Sequence, residues 1–176
     1  MRQKNVTEII IKNISDVNVA GLSFWAFGYA IAFVPSGNGF AGGNGGECMF
    51  MHNINDYGGE VSWFFHWCFV STCASIVSGA VAERCKMICY ISYAGFMSIA
   101  VYPVIAYWTW STAGWLSPFN PDAGTRIGAG VIDFAGSGVV HMTGGMAALL
   151  GAYYVGPRAD HFYRTEGGEI RARDYT

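Results

Sequence analysis

Residues 133–158 read DFAGSGVVHMTGGMAALLGAYYVGPR. After Asp133 no Asp, Glu, Lys or Arg appears until Arg158. Such a run suits a lipid core, where a spanning helix takes about 20 mostly apolar residues. Asp133 precedes the run, where a carboxylate can accept from the free N–H groups of a helix's first turn and so cap it. His141 lies about 12 Å deeper at about 1.5 Å per residue, well inside a hydrocarbon core of about 30 Å. An ionisable side chain at that depth marks a substrate or proton pathway, against the plainer reading of a satisfied structural histidine. Small residues recur on the same helix: Ala135, Val139, Thr143, Ala147 and Gly151 form one row, and Gly144, Ala148 and Ala152 the next. Such rows admit another helix at close range, so the segment belongs to a bundle and His141 faces a neighbour or a cavity.

The rest of the chain has the same character. Of 176 residues, 52% are hydrophobic, 16% aromatic and only 12% charged, about half the charge of a soluble domain. A net charge of −2 offers nothing to a nucleic acid. Five cysteines show no metal-like pairing, so they read as small buried hydrophobes and no metal or cofactor is expected. The N-terminus MRQKNVTEIIIKN lacks the apolar core and cleavage site of a signal peptide. Charge-free runs place four spans at about 17–34, 61–82, 87–108 and 134–155, with a tail over 156–176; the fold class is all-α integral membrane. Arg2, Lys4 and Lys12 precede the first span, Arg84 and Lys86 separate the second and third, and Arg158, Arg164, Arg171 and Arg173 follow the fourth. Arg126 alone falls on the other side. The positive-inside rule therefore puts both termini in the cytoplasm.

Three further stretches invite a reading. The outer loop GNGFAGGNGGE lacks the Lys-Ser/Thr ending of a phosphate loop and reads as flexible connection. In VSWFFHWCFV, Phe65 and Phe69 share a helix face, while His66 falls with Trp63 and Trp67 in an interfacial aromatic belt. Phe65 and Phe69 line either a pore or ordinary packing. YPVIAYWTW ends the third span with rings that form a belt or hold a cation over a face.

The 133–158 segment resembles the signature of the ammonium transporter (Amt/Rh/methylammonium permease) family throughout. KNISDVNVAGLSFWAFGYAIAF, SGAVAERCKMICY and YPVIAYWTWSTAGWL agree in order, so the likeness covers essentially the whole chain. It implies an eleven-span fold of two inverted halves, of which this chain resembles spans two to five, a fragment or truncated gene product. It implies a plasma-membrane protein, trimeric at full length, that deprotonates ammonium and passes ammonia through an apolar, histidine-lined pore, with methylammonium as a second substrate. Carried over by motif, His141 matches the first lumen histidine and Trp110 the recruiting tryptophan. Phe69, fourteen residues before the Glu83 of AER, matches the gate, with Phe65 one turn away. Asp133 matches a buried aspartate supporting the vestibule. The second gate ring, the recruiting serine and the second histidine belong to a half outside this chain. The alternative is a non-transporting subunit or ammonium sensor that modulates full-length relatives.

An enzyme is the remaining rival. Asp133, Ser137 and His141 stand at i, i+4 and i+8. Eight residues span about 12 Å along a helix axis, too far for the aspartate to orient the imidazole, so no enzyme is expected. Two sequons, at Asn5 and Asn13, test the orientation. Expression through a glycosylating secretory pathway leaves both unmodified if the N-terminus is cytoplasmic; a glycan on either reverses the topology.

Overall fold

Helices occupy all four apolar runs. The structure, a computed structural model, describes residues 5–36, 39–43, 46, 48–55, 59–82, 84–121, 130–158, 162–164 and 170–172. Arg2, Lys4, Glu83, Arg126 and Arg173, used above for orientation and register, lie outside the described residues. Helix α1 (Val6–Ser23) passes through a wider π turn (Phe24–Gly28) into α2 (Tyr29–Phe33). Helix α3 spans Gly59–Val81. Helix α4 (Met87–Phe96) runs through a second π turn (Met97–Val101) into α5 (Tyr102–Trp110). The last rod begins in π geometry (Ser137–Met142) and continues as α6 (Thr143–Val155). In the tail, β1 (Phe162–Arg164) pairs antiparallel with β2 (Ile170–Ala172), a hairpin that the sequence reading lacked. Gly59–Val81 and Met87–Trp110 are long and apolar enough to cross a membrane.

Two boundaries differ from expectation for clear reasons. The first helix begins at Val6 rather than near Val17. Glu8 and Lys12 form an i, i+4 pair at 2.8 Å, and the buried Lys12 ammonium also donates to the Cys85 carbonyl at 3.3 Å. Internal pairing lets the helix carry charges that ended the apolar run. The last helix begins at Ser137 rather than Phe134, because Gly136 has a left-handed φ of 86° that no helix accommodates.

Helix α3 packs against both α6 and α1, α1 also against α4, and α2 against α5. The core forms around Phe24, whose ring meets Tyr29 and Tyr102 edge-to-face at 5.9 Å each. The two π turns meet at Gly28. A Cβ there would lie 2.3 Å from the Ser98 carbonyl oxygen and 2.5 Å from the Phe24 ring. The small-residue row on the last helix behaves the same way. A Cβ on Gly144 would lie 3.0 Å from the Cys73 carbonyl oxygen of α3, and one on Gly151 3.2 Å from Val81. The opposite side of this helix is open: Met142, Met146, Leu149, Leu150, Tyr153 and Tyr154 are exposed.

The cysteines and the glycine loop also differ from expectation. Cys48 and Cys73 are buried, but Cys68 and Cys89 are exposed, because they point away from the helix contacts. In the described part of the glycine loop, the Gly42 and Gly43 amides donate to the Ile31 and Val34 carbonyls at 2.9 and 3.2 Å. That loop is a cap on the end of α2, satisfying carbonyls the helix leaves free, rather than a slack connection.

Gly28→Ala places a methyl against a backbone carbonyl that cannot swing away. Overpacking of this kind costs about 1–3 kcal/mol, so the variant unfolds in detergent at a lower temperature than the parent. Gly79→Ala is the control, since nothing stands within 4 Å of a Cβ there. Equal thermal denaturation of the Gly28 and Gly79 variants contradicts the packing described.

Candidate functional site

The last rod is held at its start by Asp133. Its Oδ1 accepts from the Gly136 and Ser137 amides at 2.8 Å each. Its Oδ2 accepts from Gly138 at 2.9 Å and Val139 at 2.8 Å. These are N–H groups that a helix start leaves without carbonyl partners. The chain reaches them only by turning at Gly136, where a Cβ would meet Val140 Cγ2 at 2.5 Å. Partial burial pushes the Asp133 carboxyl up, but the four backbone donors outweigh it and hold its pKa below the ordinary carboxylate value. The capping reading of Asp133 stands. The residue is half-buried rather than buried, since its outer side adjoins a cavity.

The backbone of Asp133 does a second task. Its carbonyl accepts the indole N–H of Trp110, the last residue of α5, at 2.7 Å. Trp110 thereby lines a cavity of about 410 Å³ together with Phe33 of α2, Phe65, His66 and Phe69 of α3, and Asp133 itself. Phe65 and Phe69 meet edge-to-face at 5.1 Å, and Phe69 meets Trp110 at 5.6 Å. The structure therefore gathers Phe65, Phe69, Trp110 and Asp133 around one space.

Several rings read as an aromatic belt also make specific contacts. His66 belongs to the cavity wall, with its ring 4.1 Å from that of Phe33. Trp67 ties α3 to α1 by donating to the Val17 carbonyl at 3.0 Å, and stacks on Trp63 at 5.8 Å. Trp108 fastens the loop after α2 through the Phe40 carbonyl at 2.8 Å. His66 was legible in principle. It lies about 60° around the helix from Phe69, within the same arc as Phe65. Phe33 and Gly136 carried no such signal.

His141 does not line this cavity. Its Nδ1 bonds the Gly136 carbonyl at 3.1 Å, and the same oxygen accepts the His141 backbone amide at 2.9 Å. A carbonyl only accepts, so Nδ1 carries a proton, and in the neutral tautomer Nε2 is the nitrogen with the lone pair. The side chain is exposed on the open apolar face; it was expected against a neighbour or in a cavity, and no described element covers that side. The Asp133 carboxylate is spent on backbone amides, so no Ser-His-Asp relay forms with Ser137.

Ring faces around a cavity, next to a helix with a titratable side chain, are a means of handling a small cation. The family model described as Ammonium Transporter Family matches residues 1–174. The chain belongs to the ammonium transporter family. It is 42% identical over 163 residues to ammonium transporter 1 member 1 of Arabidopsis thaliana, covering 92% of this chain and 32% of that protein. It is 40% identical over 163 residues to ammonium transporter 1 member 2 of Oryza sativa subsp. japonica, with the same coverage of 92% and 32%. The chain thus spans about a third of the relatives it matches. A solved structure, Sensor Amt Protein, superposes with a TM-score of 0.77 at 30% identity, over 98% of this chain and 41% of that one. Its family and its apolar helices make the chain an integral membrane protein rather than an enzyme.

The lowered Asp133 pKa fixes a pH dependence. A carboxylate depressed in the folded state stabilises above its unfolded pKa of about 3.9, and that stability is lost as pH falls through the lower folded value. Asp133→Asn removes the charge and part of the acceptor capacity, costing about 1–3 kcal/mol at neutral pH. Thermal denaturation in detergent should show the parent losing its advantage over the variant below about pH 4. A constant difference down to strongly acid pH contradicts the cap.

Proposed function

We propose that residues 1–176 form one wall of an ammonium-conducting pore. In this reading all four apolar helices cross the plasma membrane, both termini are cytoplasmic, and the chain corresponds to spans two to five of an eleven-span inverted-repeat fold that assembles as a trimer. The observation that carries the proposal is the tie between cavity and open helix. Through Asp133, Trp110 is bonded to the same turn that orients His141.

Ammonium keeps its proton at neutral pH, and a charge at mid-membrane costs between about 3 and 17 kcal/mol. A ring face returns about 2 kcal/mol at best. Trp110 and Phe69 can therefore recruit the cation, with Phe65 and Phe69 gating the way in, but they cannot carry a charge across. The ion has to leave its proton and cross as ammonia. His141 suits that passage, because its Nε2 lone pair accepts an N–H from ammonia, or accepts the proton itself and becomes imidazolium. A facing group on the other wall would then receive that proton, and the small-residue rows would let this wall pack into the closed bundle. Methylammonium fits the same chemistry as a larger substrate.

The likeness to Sensor Amt Protein favours a second reading, a non-transporting subunit or ammonium sensor acting on full-length relatives. Flux separates the two. Residues 1–176 alone in liposomes should not conduct ammonia above lipid background, while the chain joined to the second half of a relative should. In the joined protein His141→Ala impairs proton-coupled uptake, His141→Glu does so less, and Trp110→Leu weakens recruitment by at most about tenfold to thirtyfold. A silent joined protein that still binds ammonium supports the sensor. Robust flux from the isolated chain, or full activity of joined His141→Ala, overturns the half-pore.

A further inference from the structure

We infer that His66 is the hydrogen-bond acceptor of the aromatic cavity, and that its Nε2 lone pair selects cations that donate N–H bonds over bare cations of equal charge. This rests on the ammonium reading above and assigns a side chain that reading leaves unused. The imidazole stands among rings: Phe33 at 4.1 Å, Phe65 at 5.4 Å, Trp110 at 5.7 Å and Phe69 at 6.1 Å. Its Nδ1 is buried and has no hydrogen-bond partner. Nε2 has no partner among the described residues either, and it is not enclosed as Nδ1 is. Because the ring lines the cavity, Nε2 is the nitrogen a ligand can reach.

The tautomer follows from the neighbours. Aromatic faces are electronegative, so they repel an enclosed lone pair and attract an N–H. That places the proton on Nδ1 and leaves the lone pair of the neutral ring on Nε2, toward the cavity. The selectivity follows in turn. Ring faces attract a monovalent cation whether or not it donates hydrogen bonds. A charge-assisted bond from N–H to a nitrogen lone pair is one that caesium cannot make. The Asp133 carboxylate does not compete for this role, since both its oxygens are taken by backbone amides.

Solid-state NMR on the chain in bilayers, with nitrogen-15 in histidine and tryptophan, reads this directly. The His66 signals are those absent from His66→Gln. In the parent, Nδ1 should be protonated and Nε2 bare. Ammonium chloride should shift Nε2 and caesium chloride should not, while the Trp110 indole responds to both. His66→Phe should raise half-saturating ammonium at the Trp110 signal about tenfold or more and leave that for caesium unchanged. His66→Gln, which keeps an acceptor, should retain the preference for ammonium. A protonated Nε2 that persists with ammonium, equal shifts with the two salts, or an unaltered preference in His66→Phe overturns the assignment. The cavity reading survives those results as long as Trp110 responds to ammonium. If neither residue responds, both fail.

Discussion

One residue, Asp133, joins the aromatic cavity to the helix that carries His141, and it does so with both of its ends. The carboxylate holds four backbone amides at 2.8–2.9 Å, and the carbonyl holds the Trp110 indole at 2.7 Å. A helix start leaves its first N–H groups without carbonyl partners, so those groups need another acceptor. A single carboxylate supplies it, and the geometry leaves no freedom in the approach. The chain must turn through Gly136, and the cavity ring must sit where the carbonyl points.

The same turn decides the chemistry of His141. Because the rod starts in π geometry, the His141 amide reaches back to the Gly136 carbonyl five residues earlier. The ring nitrogen meets the same oxygen. The wide turn therefore fixes the tautomer as well as the direction of the side chain, which a regular α-helical start would not do. Wide turns recur at Phe24–Gly28 and Met97–Val101, where Gly28 lets two helices approach to backbone contact. Single π turns of this kind often sit at functional sites, and here one orients His141 while the other two set the spacing of the helices behind it.

Much of this was legible from residue order. Asp133 before a charge-free run announced a cap, and the four amides on its carboxylate form one. Phe65, Phe69 and Trp110, taken to be neighbours from motif alone, do line one cavity. What escaped has physical causes. Counting charge-free residues hid the ten helical residues before Asp16, because Lys12 is neutralised by Glu8 rather than by water. A histidine among tryptophans reads as interfacial from its neighbours in sequence, and only the fold shows that its ring lines the cavity, so that place of His66 was missed. The glycine loop looked slack because its anchors, Ile31 and Val34, are carbonyls that no side-chain pattern reveals. The tail hairpin pairs segments too short to show a strand period.

The central claim is that the open face of the last helix lines a pore. Spin labels at Met142 and Met146, exposed here at 70% and 57%, test it by their accessibility to oxygen, which concentrates in lipid. In the isolated chain in bilayers both labels should be readily accessible. In a complete transporter built on this chain they should be shielded, because a facing wall replaces the lipid. Equal oxygen accessibility in the two settings would put this face on the outside of the fold, and His141 with it.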